Sequence, residues 1–198
     1  MRTRLLLSSA IALMLAAPAF AQQPPAAAPG AAPATGPATA PAAAKLSQAD
    51  MAFVQEAAMG GMAEVELGRI AERNAQHPQV KEFGARMVKD HDAANAQLTA
   101  IATGKGSTLP QNLDQQHAQM RDRLAHMHGD AFDRDYIRMM VDDHDKDVKA
   151  FEHQAQTGQD PEIKRFAQET LAVIREHDRM AHDLAQSLTE TGTTRPPR

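Results

Sequence analysis

His77-Pro78-Gln79-Val80-Lys81-Glu82-Phe83-Gly84 and Asp160-Pro161-Glu162-Ile163-Lys164-Arg165-Phe166-Ala167 follow one pattern. Each has a polar residue, a proline, and then apolar residues three apart. Proline is welcome in the first helical turn, where its missing N–H would have had no partner anyway. Both stretches follow a long segment of helical periodicity, so each reads as the turn and second helix of an antiparallel hairpin. A second echo, Met87-Val88-Lys89-Asp90-His91-Asp92 beside Met140-Val141-Asp142-Asp143-His144-Asp145, supports a duplicated plan.

Working outward, Ser47 is placed to cap a first helix that runs to about residue 75, and the second helix runs from Pro78 to about residue 103. Gly104, Gly106 and Pro110 break the chain. A shorter helix is expected over about 113–127, ending at Gly129. A long one follows over about 131–157, stopped by Gly158, and the last opens at Pro161 and reaches about Leu188. The segment from Gly104 to Asp130 is too long for a tight turn but long enough to run the length of a bundle. No segment alternates as a strand does. The expectation is an all-α, ferritin-like antiparallel four-helix bundle over residues 45–189, with a short extra helix in the long crossover.

The flanks are of other kinds. Arg2 and Arg4 precede an apolar or small run from Leu5 to Ala17, and Ala19-Phe20-Ala21 offers small residues at both recognition positions of a cleavage site. Residues 1–21 therefore read as a secretory signal peptide, with a run too short for a helix crossing ~30 Å of hydrocarbon. Residues 22–44 are almost entirely Pro, Ala, Gly, Gln and Thr, and read as a disordered linker. Residues 190–198 read as a disordered tail. The expected location is the periplasm, with association to the outer membrane a further option. The chain has no Cys, so no disulfide holds the domain and any metal site must use His, carboxylate or Met. A net charge of −4 gives no sign of a nucleic-acid-binding surface.

Residues three, four and seven apart share a helical face. Phe53, Ala57, Gly60, Glu64, Leu67, Gly68 and Ala71 form such a stripe on the first helix, and Val80, Phe83, Met87, His91, Ala94 and Leu98 on the second. Tyr136, Met140, His144, Val148 and Phe151 line the long helix, with Asp147 beside them. Ile163, Phe166, Ile174, His177, Ala181, Leu184 and Leu188 line the last. Each stripe holds one ionisable residue, and Glu64, His91, His144 and His177 fall near one depth along the bundle, both with a long crossover and, roughly, in a simple up-down-up-down arrangement. A buried carboxylate or imidazolium needs a partner, a hydrogen bond or a metal. These four are candidate ligands for a transition metal ion, whether zinc, iron, manganese or copper. The competing reading is a buried hydrogen-bond network that sets helix register. Asp90, Asp143 and Glu176 each precede one of these His residues and are either its hydrogen-bond partners or solvated charges. Met87, Met140 and Met180 suit core packing better than thioether ligation. Met120, His126, Met127 and His128 form a weaker metal candidate, and His77, His117, His153 and His182 read as surface positions.

At these residues the sequence resembles the domain of unknown function family 4142 (DUF 4142), exported ferritin-like helical bundles often labelled putative outer membrane proteins. The resemblance covers about residues 46–188 and rests on several motifs. These are Phe53-Val54 with Ala57-Ala58, Ala63-Glu64-Val65-Glu66-Leu67-Gly68, Met87-Val88-Lys89-Asp90-His91, Gly129-Asp130-Ala131-Phe132-Asp133, Met140-Val141-Asp142-Asp143-His144 and His177. It implies the fold and the envelope location, and its recurrent Glu and His positions match Glu64, His91, His144 and His177. It implies no reaction. A di-iron site of the Glu-x-x-His kind is disfavoured, because Val88, Val141 and Ile174 stand three residues before the histidines.

Three functions compete: a metal-binding bundle for metal handling or envelope stress protection, a structural or interaction protein of the envelope, and a metal-dependent redox or hydrolytic enzyme. The expected partners are a metal ion and either an envelope protein or a second copy of the chain. No nucleotide motif or Ser-His-Asp arrangement is visible. N-terminal sequencing of protein recovered from an exporting host should begin at Gln22; recovery of an intact Met1 terminus would remove the signal-peptide reading.

Overall fold

Ser47 opens the first helix, its hydroxyl accepting a hydrogen bond from the Asp50 amide at 3.1 Å. The computed structural model describes residues 45–193, with side chains to residue 190. The helices are α1 (Gln48–Asn74), α2 (Pro78–Gly104), α3 (Gln115–Ala125), α4 (Gly129–Thr157) and α5 (Pro161–Thr193), with no strand among the described residues. The expected signal peptide and linker, and residues 194–198 of the expected tail, lie outside the described residues.

Two buried carboxylates set the topology. Asp50, in the first turn of α1, accepts the Gln159 and Asp160 amides of the α4–α5 turn at 3.1 and 3.0 Å, and the Gln154 side chain at 2.6 Å. Asp133, near the start of α4, accepts the Gln76 and His77 amides of the α1–α2 turn at 3.0 and 2.8 Å. Each hairpin thus holds the other's turn. The start of α1 sits beside the start of α5, and the start of α4 beside the start of α2. Helices α1 and α5 therefore run one way, and α2 and α4 the other.

The α2–α4 connection must then travel the bundle's length, and contacts at both ends show that it does. Lys105, just past α2, pairs with Asp160 and Glu162 at 2.9 and 2.6 Å. At the far end the Asn74 side-chain amide donates to the carbonyls of Met127 and Ala125 at 3.0 and 3.2 Å. This is the ferritin-like arrangement, with α3 as the short helix within the crossover. Gly129 adopts φ 66°, a left-handed conformation suited to glycine, where the crossover turns into α4.

Within the first hairpin the backbones approach closely. A Cβ on Gly68 would lie 2.7 Å from the Gly84 carbonyl oxygen, so side chains at this crossing are excluded. The apolar stripes bury as expected but form two clusters. One holds Leu67, Phe83, Met87, Phe132, Tyr136 and Met140; the other holds Phe53, Leu98, Phe151, Phe166 and Ile174. Glu64, His91, His144 and His177 lie buried between them. Two expectations move at the ends. Helix α5 runs on to Thr193, five residues past Leu188, and α3 is confined to Gln115–Ala125.

Asp133→Ala leaves two turn amides without their acceptor and should cost on the order of 3 kcal/mol in urea denaturation. A loss within about 0.5 kcal/mol, the range of an ordinary surface change, would mean that the reciprocal bond does not hold the hairpins together.

Candidate metal centre

Glu64 comes from the middle of α1, His91 from α2, His144 from α4 and His177 from α5. Their exposures are 4%, 7%, 0% and 0%. The imidazole centroids stand 5.3 Å apart for His91–His177, 5.6 Å for His144–His177 and 6.0 Å for His91–His144. One ligating nitrogen from each lies within 4.8 Å of the other two.

Each imidazole is anchored by one nitrogen. His144 Nδ1 donates to the Met140 carbonyl at 2.9 Å, which leaves Nε2 with its lone pair. His177 Nε2 donates to Asp90 Oδ2 at 3.0 Å, which leaves Nδ1 free. His91 Nδ1 meets Glu64 Oε2 at 2.9 Å. The other three nitrogens, His91 Nε2, His144 Nε2 and His177 Nδ1, are buried and have no partner, and neither has Glu64 Oε1. Such pairing of one ring nitrogen with an oxygen, leaving the other bare, orients histidines that ligate metals. Glu64 Oε1 faces His144 Nε2 at 3.6 Å, beyond a hydrogen bond. Two lone-pair atoms at that distance can share a proton or a metal ion. The spacing is close to the ~3.4 Å edge of a tetrahedron with bonds near 2.1 Å. The histidine nitrogens would have to close inward to reach it. The three buried histidines are thus a group able to hold a metal ion.

Burial dominates the electrostatics of the site. Burial pushes His91 and His177 down to about 4 and also lowers His144, so all three are neutral near pH 7. Burial raises Glu64 to about 7. Asp147 on α4 rises to about 8, first through burial and then through the Glu64 charge. For Asp90, burial works upward, but hydrogen bonds from Arg86 and His177 outweigh it and hold the carboxylate below its ordinary value.

Asp90 thus serves His177, across the bundle, rather than its chain neighbour His91. The other two flanking acids face solvent partners, Asp143 with Lys146 at 3.4 Å and Glu176 with Arg179 at 2.7 Å. Met87 and Met140 are core residues, and Met120, Met127 and Met180 pack against the same cluster. His126 bonds the Asp122 carbonyl at 2.6 Å. His182 stands 3.6 Å from both Asp145 and Asp178, a small exposed group not anticipated from its surface position. Asp50 and Asp133 were also missed; the parallel Asp50-x-x-Phe53-Val54 and Asp133-x-x-Tyr136-Ile137 was the signal for them. A groove of about 220 Å³ between α2 and α5 reaches His91 and His177, and another of about 230 Å³ between α1 and α4 reaches Glu64 and Asp147.

The family described as a domain of unknown function (DUF4142) matches residues 35–184. The chain belongs to the DUF4142 family. Among solved structures, this DUF4142 chain is similar to the crystal structure of a DUF305 fragment from Deinococcus radiodurans. The identity is 16% and the TM-score 0.63, over 72% of this chain and 99% of that one. At that identity the likeness concerns the fold alone. No curated protein matches the DUF4142 chain.

Metal-free protein should be most stable at about pH 6. Toward pH 4 the unfolded chain binds protons that His91, His144 and His177 refuse when folded, so stability falls as pH falls. Above the ordinary histidine value, Glu64 and Asp147 hold protons only in the folded state, so stability also falls as pH rises through about 7 to 8. Denaturant titrations from pH 5 to 8 with a chelator present would check this, and a curve rising steadily to pH 8 would contradict it.

Proposed function

We propose that the protein is an exported metal-binding bundle, which takes a transition metal ion on His91, His144 and His177 with Glu64 as the oxygen ligand. The observation that carries this reading is the set of four buried inward atoms without partners: three ring nitrogens and Glu64 Oε1. A network whose purpose was to set helix register would satisfy its members, since each unsatisfied buried polar atom costs about 1–3 kcal/mol. A cation offsets all four at once. Three imidazoles and one carboxylate suit zinc, iron, manganese or copper by donor type.

The role is metal handling or stress protection in the cell envelope. The N-terminal pattern of Arg2, Arg4 and the run to Ala17 supports export, with the periplasm as the location. No described helix is long and apolar enough to cross a membrane. The grooves reaching the centre would let an ion exchange with solvent.

Elemental analysis of tag-free protein, beside a variant with His91, His144 and His177 all changed to Ala, tests the reading. Near-stoichiometric metal in the first and none in the second is expected. Adding the ion at about a hundredfold excess over Kd should raise the melting temperature of the metal-free protein by about 5–10 °C, and should not shift the variant. A folded wild type that holds no metal and shows no shift with any of the four ions would return the buried histidines to a packing role.

A further inference from the structure

Glu64 has a counterpart. The reciprocal carboxylates Asp50 and Asp133 occupy equivalent places in the two hairpins, as do Pro78 and Pro161, and Phe83 and Phe166. The same register pairs Glu64 of α1 with Asp147 of α4, whereas His91 pairs with Ile174 and His177 with Ala94. The histidines are therefore peculiar to one hairpin or the other, while an inward carboxylate is common to both.

The two carboxylates meet at a small cavity. Glu64, Asp147 and His91 line an enclosed space of about 30 Å³, with Asn95 and Thr170 adding further polar side chains. In this measure about 10–15 Å³ holds one water, so the space takes a bare ion with one or two waters. Glu64 and His91 are both more than nine-tenths buried, and Glu64 Oε1 and His91 Nε2 lack partners. Two acids lining one buried polar space cannot both ionise there unless something positive stands between them. The space is also within reach of solvent, because Glu64 and Asp147 line the α1–α4 groove with Glu56 and Asp143. That rim also carries Lys146 and His117, and its acids outnumber its one lysine.

We propose that Asp147 and Glu64 hold a second divalent cation in this cavity, next to the ion on the three histidines, so that the centre carries two ions with Glu64 in the wall of both positions. The inference rests on the metal-binding reading above. The donors differ in kind: the first position is rich in nitrogen and the second in oxygen. The second therefore suits a hard ion of the manganese or magnesium class.

Manganese(II) is the probe. Wild-type protein, Asp147→Asn, Asp147→Glu and the triple histidine-to-alanine variant would be dialysed against the same free manganese(II) concentration. Bound metal would be counted by elemental analysis, and folding confirmed by far-UV circular dichroism. Two ions per chain are expected in the wild type and in Asp147→Glu, and one in Asp147→Asn. Electron paramagnetic resonance should show exchange-coupled manganese in the wild type and isolated ions in Asp147→Asn. Equal counts in wild type and Asp147→Asn, whether one or two, would overturn the assignment to Asp147 while the histidine site stands. No bound manganese in any of the four would overturn the second position, while the histidine site stands or falls on the four-ion test above. Asp147→Asn should fold, because the amide is uncharged and close in shape to the carboxyl it replaces.

Discussion

The reciprocal bonds of Asp50 and Asp133 are the constraint from which the rest of the bundle follows. A helix hairpin can slide or rotate against a second hairpin at little cost if only apolar stripes meet, because those contacts are non-directional. A buried carboxylate that accepts two turn amides of the other hairpin is directional and short in reach. With one such lock at each end, the depth of every mid-helix residue is fixed to within a fraction of a turn. Glu64, His91, His144 and His177 then arrive at one level, although they come from four helices and are up to 113 residues apart in the chain.

That level interrupts the hydrophobic core, and the interruption works against stability. Two apolar clusters flank a layer of neutral imidazoles and raised carboxyls. The outer atoms of that layer are well provided for. Asp90 is held ionised by Arg86 and accepts a hydrogen bond from His177 Nε2, and the Met140 carbonyl accepts one from His144 Nδ1. The inner atoms are not. An arrangement that satisfies its outside and leaves its inside bare is pre-organised for a guest that brings positive charge, since the orientation of each ring is set before the guest arrives.

Much of this was legible in the residues. The doubled proline motif at Pro78 and Pro161 marked the hairpins, and the long gap from Gly104 to Asp130 marked the crossover. Period-3.6 stripes singled out one ionisable residue on each of four helices. The hydrogen-bond partners were harder to read. Asp90 precedes His91 in the chain and was linked to it by proximity, yet a helix turns about 100° per residue, so Asp90 is carried toward α5 and His177 instead. Asp147 lies beside the apolar stripe, and its own helix gives no sign that Glu64 of the facing α1 shares its space. The last turn of α5 extends past Leu188 through residues with no apolar signal to announce it.

Helix number, helix order, the inward faces and the absence of thiol chemistry are properties of local periodicity and composition, and the sequence by itself determined them. The direction of the second hairpin relative to the first, the anchoring of each imidazole and the bareness of its other nitrogen were decided only by tertiary structure. They depend on distances between side chains of different helices. Those distances are set by Asp50 and Asp133 at the ends and by the close Gly68–Gly84 approach within the first hairpin. Periodicity places a residue on a face, but it carries no information about which atom of another helix waits opposite.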